Sequence, residues 1–388
     1  MSGKETGMIL KNASVYTPER TFVRRDVVIR DGRFVEDTPE NRQGEEVLDA
    51  GGCLAIPGLL DLHFHGALGE DVSDGTRHAY EVIAKYEAEQ GITAICPATL
   101  TLPVDDLCHI LSVGAEFAHT PHEGADLVGF NMEGPFISRA KKGAQNERYI
   151  LKADPEIVKR FVEASEGLVK IIGLAPEENP GFEDYIQKVK GLVRVSLAHS
   201  AADYETAMRA FSAGACHAVH MFNAMTDFGH RAPGAIGAIS DSPAVCAELI
   251  CDGIHVHPAA VRCAFRLVGK ERIVMISDSL RCTGMPDGEY MLGGQPIVKN
   301  GPYCRLKKEG NIAGSVSNLM ECMKTAVQKM EIPLETAIAC ATIQPAEAIG
   351  VADQYGSITP GKKGNVVLLA ADETLTTRGV IQNGRVIR

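Results

Sequence analysis

The sequence predicts an α/β fold, namely a (β/α)8 barrel of the TIM type with a small β-sandwich module built from both termini. Eight apolar runs of strand length follow one another between residues 59 and 278, and amphipathic helical stretches lie between most of them. Such alternation is typical of a parallel barrel. Short strand-like segments with few helical signals at both ends of the chain predict the second module.

The barrel is predicted for residues 57–356 and the β-sandwich module for residues 1–56 and 357–388. The predicted barrel strands lie in runs 59–65, 92–98, 127–133, 169–175, 193–199, 216–222, 245–252 and 273–278. The clearest helical stretches are 76–90, 104–118, 154–165, 202–213 and 258–268, followed by 317–329 and 334–341.

Two connections differ from this regular pattern. The segment 229–237, after the sixth run, is rich in glycine and proline, and its weak helical signal predicts an irregular barrel there. The polar, glycine-rich insert at 284–310 follows the eighth run, and we expect it to form a hairpin over the barrel mouth.

Composition and charge exclude several classes of protein. A hydrophobic content of 45% and a charged content of 23% are those of a soluble globular protein, and there is no run of eighteen apolar residues to predict a transmembrane helix. The eleven cysteines form no Cys-x-x-Cys pair, which predicts reduced thiols and a cytoplasmic location. The net charge of −11 argues against nucleic-acid or acidic-membrane partners, so an anionic substrate would need a local positive cluster.

Histidines and carboxylates stand at the carboxyl ends of the predicted strands. Because these ends face the active site of a barrel, side chains that are far apart in sequence should meet at one mouth. One such histidine could be an ordinary core or surface residue, but convergence from five strands predicts a metal site. The residues concerned are His63, His65, Glu133, His199, His220 and Asp278.

This set of side chains suits zinc, iron, cobalt or manganese. A water molecule bound to such a metal loses its proton near neutral pH and becomes a nucleophile. Asp278 could accept that proton and deliver it to a leaving group. Its alternative role is that of a helix N-cap preceding Ser279.

The chain resembles the amidohydrolase superfamily and, within it, the N-acetylglucosamine-6-phosphate deacetylase family. The most specific matches are Glu-Gly-Pro-Phe at 133–136, His-Met-Phe-Asn-Ala-Met at 220–225 and Asp-Gly-Ile-His at 252–255, whereas the His-x-His at 63–65 marks only the superfamily. Further matching stretches are 57–66, 142–144, 198–200, 230–234, 277–279 and 356–362.

The resemblance implies a divalent metal, one or two per subunit, with zinc expected first. Glu133, His199 and His220 would be the main metal ligands. A second metal would be held by His63 and His65 with Asp278, which would also be the catalytic acid and base. The implied substrate contacts are Ala144, Gln145, Asn223, Ala224, Arg231, Asp252, Gly253, His255, Ile312, Ala313 and Gly314.

The phosphate of the substrate would be held by Arg231 and His255. In the family this arginine can come from the neighbouring subunit, so the resemblance also implies a homodimer. Two positions depart from the family pattern: Gln145 stands where a histidine is expected, and Asn365 stands where the superfamily often has aspartate. Gln145 could donate a hydrogen bond to an oxyanion or contact the sugar.

The function implied is metal-dependent hydrolysis of the acetamide of N-acetylglucosamine 6-phosphate. The alternative within the superfamily is hydrolysis of another N-acyl amino sugar, its phosphate, or a cyclic amide. Cyclic amidases usually have a bridging lysine, and no run from the fourth to the eighth ends in lysine. A non-catalytic scaffold is a third hypothesis, which the retention of every expected ligand disfavours.

Overall fold

The computed structural model of the chain describes residues 7–43 and 45–388. Within these ranges the strands are β1 (Met8–Lys11), β2 (Ser14–Tyr16), β3 (Phe22–Arg24), β4 (Val27–Arg30), β5 (Arg33–Val35), β6 (Glu46–Asp49), β7 (Cys53–Pro57), β8 (Leu59–Asp61), β9 (Gly66–Ala67), β10 (Glu70–Asp71), β11 (Ile92–Ile95), β12 (Ala98–Thr99), β13 (Asp126–Leu127), β14 (Phe130–Phe136), β15 (Val169–Leu174), β16 (Arg194–Leu197), β17 (His217–Ala218), β18 (Cys246–Ile250), β19 (Ile273–Ile276), β20 (Gly288–Leu292), β21 (Gln295–Asn300), β22 (Tyr303–Leu306), β23 (Val366–Ala370), β24 (Thr377–Gln382) and β25 (Arg385–Val386).

The α-helices of the same ranges are α1 (Arg77–Glu89), α2 (Val104–His119), α3 (Pro155–Ala164), α4 (Phe182–Val189), α5 (Tyr204–Ala213), α6 (Gly234–Asp241), α7 (Pro258–Val268), α8 (Leu319–Met330), α9 (Leu334–Ala341) and α10 (Ile343–Ile349).

Parallel strands in chain order form the barrel. β8 pairs with β11, and β12, which continues β11, pairs with β14. The ladder then runs through β15, β16, β17, β18 and β19. It closes back to β8 by hydrogen bonds beyond the strands, from the Asp278 amide to the His63 carbonyl (2.9 Å) and from the Ser277 hydroxyl to the Asp61 carboxylate (2.5 Å). The predicted barrel is confirmed.

Burial on both faces explains why the barrel strands appear in the sequence as continuous apolar runs. All seven residues of β14 and all four of β19 are buried. The predicted helices begin close to their expected positions because their first turns are capped: Thr76 accepts from an amide of α1, and Asp154 accepts from an amide of α3. The strands and helices together therefore bring the carboxyl ends of the barrel strands to one mouth.

The prediction of an irregular connection at 229–237 is wrong for its second half. Helix α6 begins at Gly234, and every residue from Gly234 to Ile239 is buried. A helix that is buried all round carries no amphipathic stripe, so the periodicity by which the other helices were predicted is absent here.

Strands from both termini form two further sheets. The first has the order β5-β4-β1-β6, and the second, β25-β24-β23-β7-β2-β3, joins the termini through the antiparallel pair β7 and β23. Side chains that include Leu10, Ile29 and Val366 form a separate buried cluster there. This architecture confirms a second β module built from both termini, while the limits 1–56, 57–356 and 357–388 stay predictions.

The insert after β19 is a three-stranded antiparallel sheet, β20-β21-β22, rather than a single hairpin. The Gln295 side chain donates to the carbonyl of Ala144 (2.5 Å), and Arg305 forms an isolated bridge with Ile312. The insert therefore supports two loops of the barrel mouth.

Two further findings concern the described ranges as a whole. None of their helices combines the length and the apolar character that crossing a bilayer requires. The eleven cysteines are free thiols.

Candidate active site

The six residues predicted to converge do meet at the barrel mouth, and all are buried. β8 ends at Asp61, so its two histidines lie just beyond the strand rather than on it. The other four come from the strands that the sequence indicated. The six are His63 and His65 after β8, Glu133 on β14, His199 after β16, His220 after β17 and Asp278 after β19.

Glu133 lies at the centre of two groups of potential ligands. Its Oε1 is 2.9 Å from His199 Nε2 and 3.0 Å from His220 Nε2, and these three residues are called the primary site. Its Oε2 is 3.5 Å from His65 Nε2, and Glu133, His63 and His65 are called the second site. In each group the ligand atoms lie within 4.8 Å of one another. One carboxylate can therefore serve two adjacent metal sites.

Hydrogen bonds fix the orientation of the imidazoles. In three of the four histidines, Nδ1 lies 2.8–3.2 Å from a main-chain carbonyl oxygen. A carbonyl can only accept, so Nδ1 carries a proton, and in the neutral imidazole it is Nε2 that is unprotonated and faces the centre as a metal ligand. The three carbonyls belong to Ala98, Lys141 and Asn223, which face His65, His199 and His220 respectively.

His63 provides the most direct indication of a metal. Its Nε2 is buried without a hydrogen-bond partner, although it is 3.6 Å from Glu133 Oε1 and 3.7 Å from Asp278 Oδ1. A buried polar atom without a partner is costly, and a cation between these atoms would remove that cost. Imidazole and carboxylate ligands in this arrangement fit a divalent metal.

Charge at the centre is balanced by the same contacts. Burial opposes ionisation of Glu133, yet the charge of His199 and hydrogen bonds from His199 and His220 hold the pKa of this carboxyl well below its usual range. Burial likewise disfavours a charged His63, but the charge of Glu248 raises the pKa of His63 well above its usual value. The centre therefore holds carboxylates in the anionic form that metal binding requires.

Backbone strain is concentrated at three of these residues. His199, His220 and Asp278 have φ angles of +43°, +27° and +53°, in the left-handed region that non-glycine residues seldom adopt. Each such conformation costs about 1–3 kcal/mol and persists where the surrounding structure enforces it. The location of the strain supports a functional role for this mouth.

A cavity of about 280 Å³ opens over the centre. Five of the six converging residues line it, the exception being His63, which is fully buried. Eight of the predicted substrate contacts also line it, namely Ala144, Gln145, Asn223, Ala224, His255, Ile312, Ala313 and Gly314. Arg231, Asp252 and Gly253 do not line it: Arg231 and Gly253 are exposed, and Asp252 contacts the lining residue His255.

The side-chain amide of Gln145 forms hydrogen bonds to two other residues of the protein. Its carbonyl oxygen accepts from the Thr101 amide at 2.7 Å, which turns its NH₂ group towards Glu133 Oε2, to which it donates. The side chain thus supports a ligand of both sites. Donation to a substrate oxyanion would require this bond to be exchanged, and that role stays a prediction.

His255 is the cationic candidate inside the cavity. Its Nδ1 is 2.7 Å from the Asp252 carboxylate, and its Nε2 is 4.0 Å from Asp278 Oδ2. Burial disfavours its charged form, but the hydrogen bond and charge of Asp252 raise the pKa of His255 above its usual value. Asp252 therefore acts on the cavity through His255.

Three buried residues that the sequence reasoning did not assign to the site lie behind it, namely Asn131, His217 and Glu248. Glu248 accepts from both other side chains and from His63. The single carboxylate within the apolar run 245–251 could have indicated this cluster from the sequence, because a buried acid requires hydrogen-bond donors around it.

Comparison with known proteins agrees with this geometry. The model of the amidohydrolase family matches residues 54–387. The chain is 35% identical over 338 residues to N-acetylglucosamine-6-phosphate deacetylase of Vibrio furnissii, covering 86% of this chain and 84% of the relative. It is 33% identical over 316 residues to N-acetylgalactosamine-6-phosphate deacetylase of Escherichia coli O157:H7, with coverage of 81% and 83%.

A solved structure shares the fold over nearly the whole chain. It is that of a mutant of N-acetyl-D-glucosamine-6-phosphate deacetylase from Mycobacterium smegmatis, in complex with N-acetyl-D-glucosamine 6-phosphate. The TM-score is 0.89 at 27% sequence identity, and the match covers 99% of both chains.

Proposed function

Because the chain belongs to the amidohydrolase family, we propose that it hydrolyses the acetamide of N-acetylglucosamine 6-phosphate. The products are glucosamine 6-phosphate and acetate, which places the enzyme in amino-sugar catabolism. The observation that carries the proposal is Glu133 shared between two ligand groups, with Asp278 beside them in one cavity. Relatives of that named activity, aligned over most of the chain, support the substrate.

The cofactor proposed is a divalent metal, with zinc expected before iron, cobalt or manganese. Glu133, His199 and His220 would hold the first ion, and His63 and His65, with Glu133 and Asp278, would hold the second. When bound, the metal supplies Lewis acidity and lowers the pKa of a coordinated water.

Asp278 is the proposed acid and base. Its carboxylate borders the cavity and lies 3.3 Å from His65 Nε2, so it can reach a water that attacks the acetyl carbon. The carboxylate takes the proton of that water as the new carbon–oxygen bond forms. It then gives the proton to the amine nitrogen as the carbon–nitrogen bond breaks.

Substrate binding is proposed for the remaining lining residues. His255 and Arg231 would hold the phosphate, since a cationic imidazole and a guanidinium both donate to phosphate oxygens. Arg231 is exposed and lies outside the cavity of its own chain, which supports a homodimer in which it reaches the partner's site. The free thiols support a cytoplasmic location.

Acetate release by protein of known metal content tests the proposal. N-acetylglucosamine 6-phosphate should be hydrolysed faster than N-acetylglucosamine without phosphate. The 4-epimer, N-acetylgalactosamine 6-phosphate, is a second candidate because a relative with that activity is 33% identical. Absence of turnover with both phosphates at full metal loading would contradict the proposal.

A further inference from the structure

Glu248 is a fully buried carboxylate in the middle of an apolar barrel strand. Its neighbours on β18, Ala247, Leu249 and Ile250, are also buried. Burial opposes its ionisation, but the charge of His63 and a hydrogen bond from His217 hold the pKa of Glu248 well below its usual range. A charge in such a place needs several donors to be tolerated.

Four donors surround this carboxylate. Oε2 accepts from His63 Nδ1 at 2.8 Å and from the His220 amide at 3.1 Å. Oε1 accepts from His217 Nε2 at 2.9 Å and from Asn131 Nδ2 at 2.9 Å. The donors come from β14, from β17 and its following loop, and from the segment after β8, so the group is held from three sides.

The bond to His63 has a consequence at the other side of the ring. When His63 is neutral, as a metal ligand must be, the bond to Glu248 keeps its single proton on Nδ1, so the free Nε2 faces Glu133 and Asp278. The other site histidines receive the same orientation from main-chain carbonyls. His63 alone among the four depends on a side chain for its orientation.

We propose that Glu248, itself held by His217 and Asn131, is the positioning residue that makes His63 a ligand of the second metal. The inference rests on the proposed function only in taking His63 and His65 as metal ligands. An orienting carboxylate fixes the tautomer of a ligating histidine and raises its basicity, and its loss typically weakens metal binding by about 10–100-fold. Glu248 thus sets how tightly the chain binds the second metal.

The test measures Zn²⁺ stoichiometry and affinity in Glu248→Gln, using chelator competition followed by elemental analysis. The variant should keep the primary-site ion and bind the second about 10–100-fold more weakly. In ¹⁵N-histidine NMR spectra, the signal of a protonated Nδ1 at His63 should be lost or shifted. Two ions bound at wild-type affinity in the variant would overturn the proposal.

Glu87→Gln is the matched control. Glu87 is also a fully buried glutamate, but both of its carboxylate oxygens lack hydrogen-bond partners. The same chemical change at this position should leave both Zn²⁺ affinities unchanged. A second-site loss as large in Glu87→Gln as in Glu248→Gln would assign the effect to general destabilisation and overturn the positioning role.

Glu248→Asp keeps the test valid if the glutamine variant does not fold. Aspartate retains the charge but is one methylene shorter, so its carboxylate withdraws from His63. Second-site affinity should again fall while the primary ion stays, and wild-type affinity would overturn the proposal. Acetate release by the wild-type enzyme separates the two claims: two Zn²⁺ sites without turnover would reject only the proposed function, whereas a single wild-type site would reject the positioning role.

Discussion

The primary and second sites share Glu133 but are built differently. In the primary site the contacts to Glu133 are 2.9 and 3.0 Å, and the two histidines are oriented by the carbonyls of Lys141 and Asn223. In the second site the contacts from the histidines to Glu133 are 3.5 and 3.6 Å. There His63 is oriented by the side chain of Glu248.

The two sites therefore differ in whether a mutation can remove the group that orients a histidine. A main-chain carbonyl is present whatever residue occupies its position, so the orientation of the primary-site histidines persists as long as the fold does. A carboxylate can be removed by one substitution, so the second site depends on the identity of residue 248. Of two metals bound at these sites, the second would therefore be the more easily lost.

The largest expected effect is on turnover, at the boundary of the second site. Asp278→Asn removes the proton acceptor and should lower kcat by roughly 10²–10⁴-fold. The fold and the primary ion should be retained, because Asp278 is not among the residues of the primary site. Acetate release and metal analysis of one preparation check both statements, and near-wild-type turnover would rule out the proposed mechanism.

Removing one histidine from each site tests the comparison directly. His199→Gln should no longer bind the primary ion. His63→Gln should weaken binding of the second ion only, and that affinity should fall by at least the roughly 10–100-fold expected for loss of a supporting residue. Zn²⁺ titration of the two variants, made with the same substitution, provides the measurement. Equal loss of both ions in His63→Gln would mean that the two sites are not separable.

The smallest expected effect concerns stability and tests the rule that a buried carboxylate requires donors. Burial raises the pKa of Glu87 well above its ordinary value of 4.5. At pH values between the unfolded-state pKa and the raised folded-state pKa, Glu87 is protonated in the folded state and ionised in the unfolded state. The free energy of unfolding therefore falls as pH rises through this range, by up to about 1.4 kcal/mol per pH unit.

Glu87→Gln removes this titration. Relative to wild type, the variant should be more stable at pH 8. This gain should disappear below the unfolded-state pKa, because Glu87 is then protonated in both the folded and the unfolded state. Urea unfolding at a series of pH values measures the difference. A gain that is constant with pH would show that Glu87 has the same pKa in the folded and unfolded states.

The sequence by itself determined the barrel and the positions of the six converging residues. Barrel strands buried on both faces are apolar throughout, so they were visible as runs, and His199 and Asp278 stood at their ends. The topology of a parallel barrel brings such ends together, so no distance was needed to expect a common mouth. The motifs at 133–136 and 220–225 then indicated the family, which the match over residues 54–387 confirms.

Only the tertiary structure decided how those residues are supported. Helix α6 lacks an amphipathic pattern because its first six residues are all buried, so periodicity could not reveal it. The contacts of Glu248 with His63, 185 residues away, and of Gln145 with Glu133 depend on which side chains the closed barrel places within hydrogen-bond distance. The candidate ligands could be identified from the sequence because they are metal-binding residue types at strand ends. The groups that orient them could not, because their contacts depend on packing between elements that are distant in the chain.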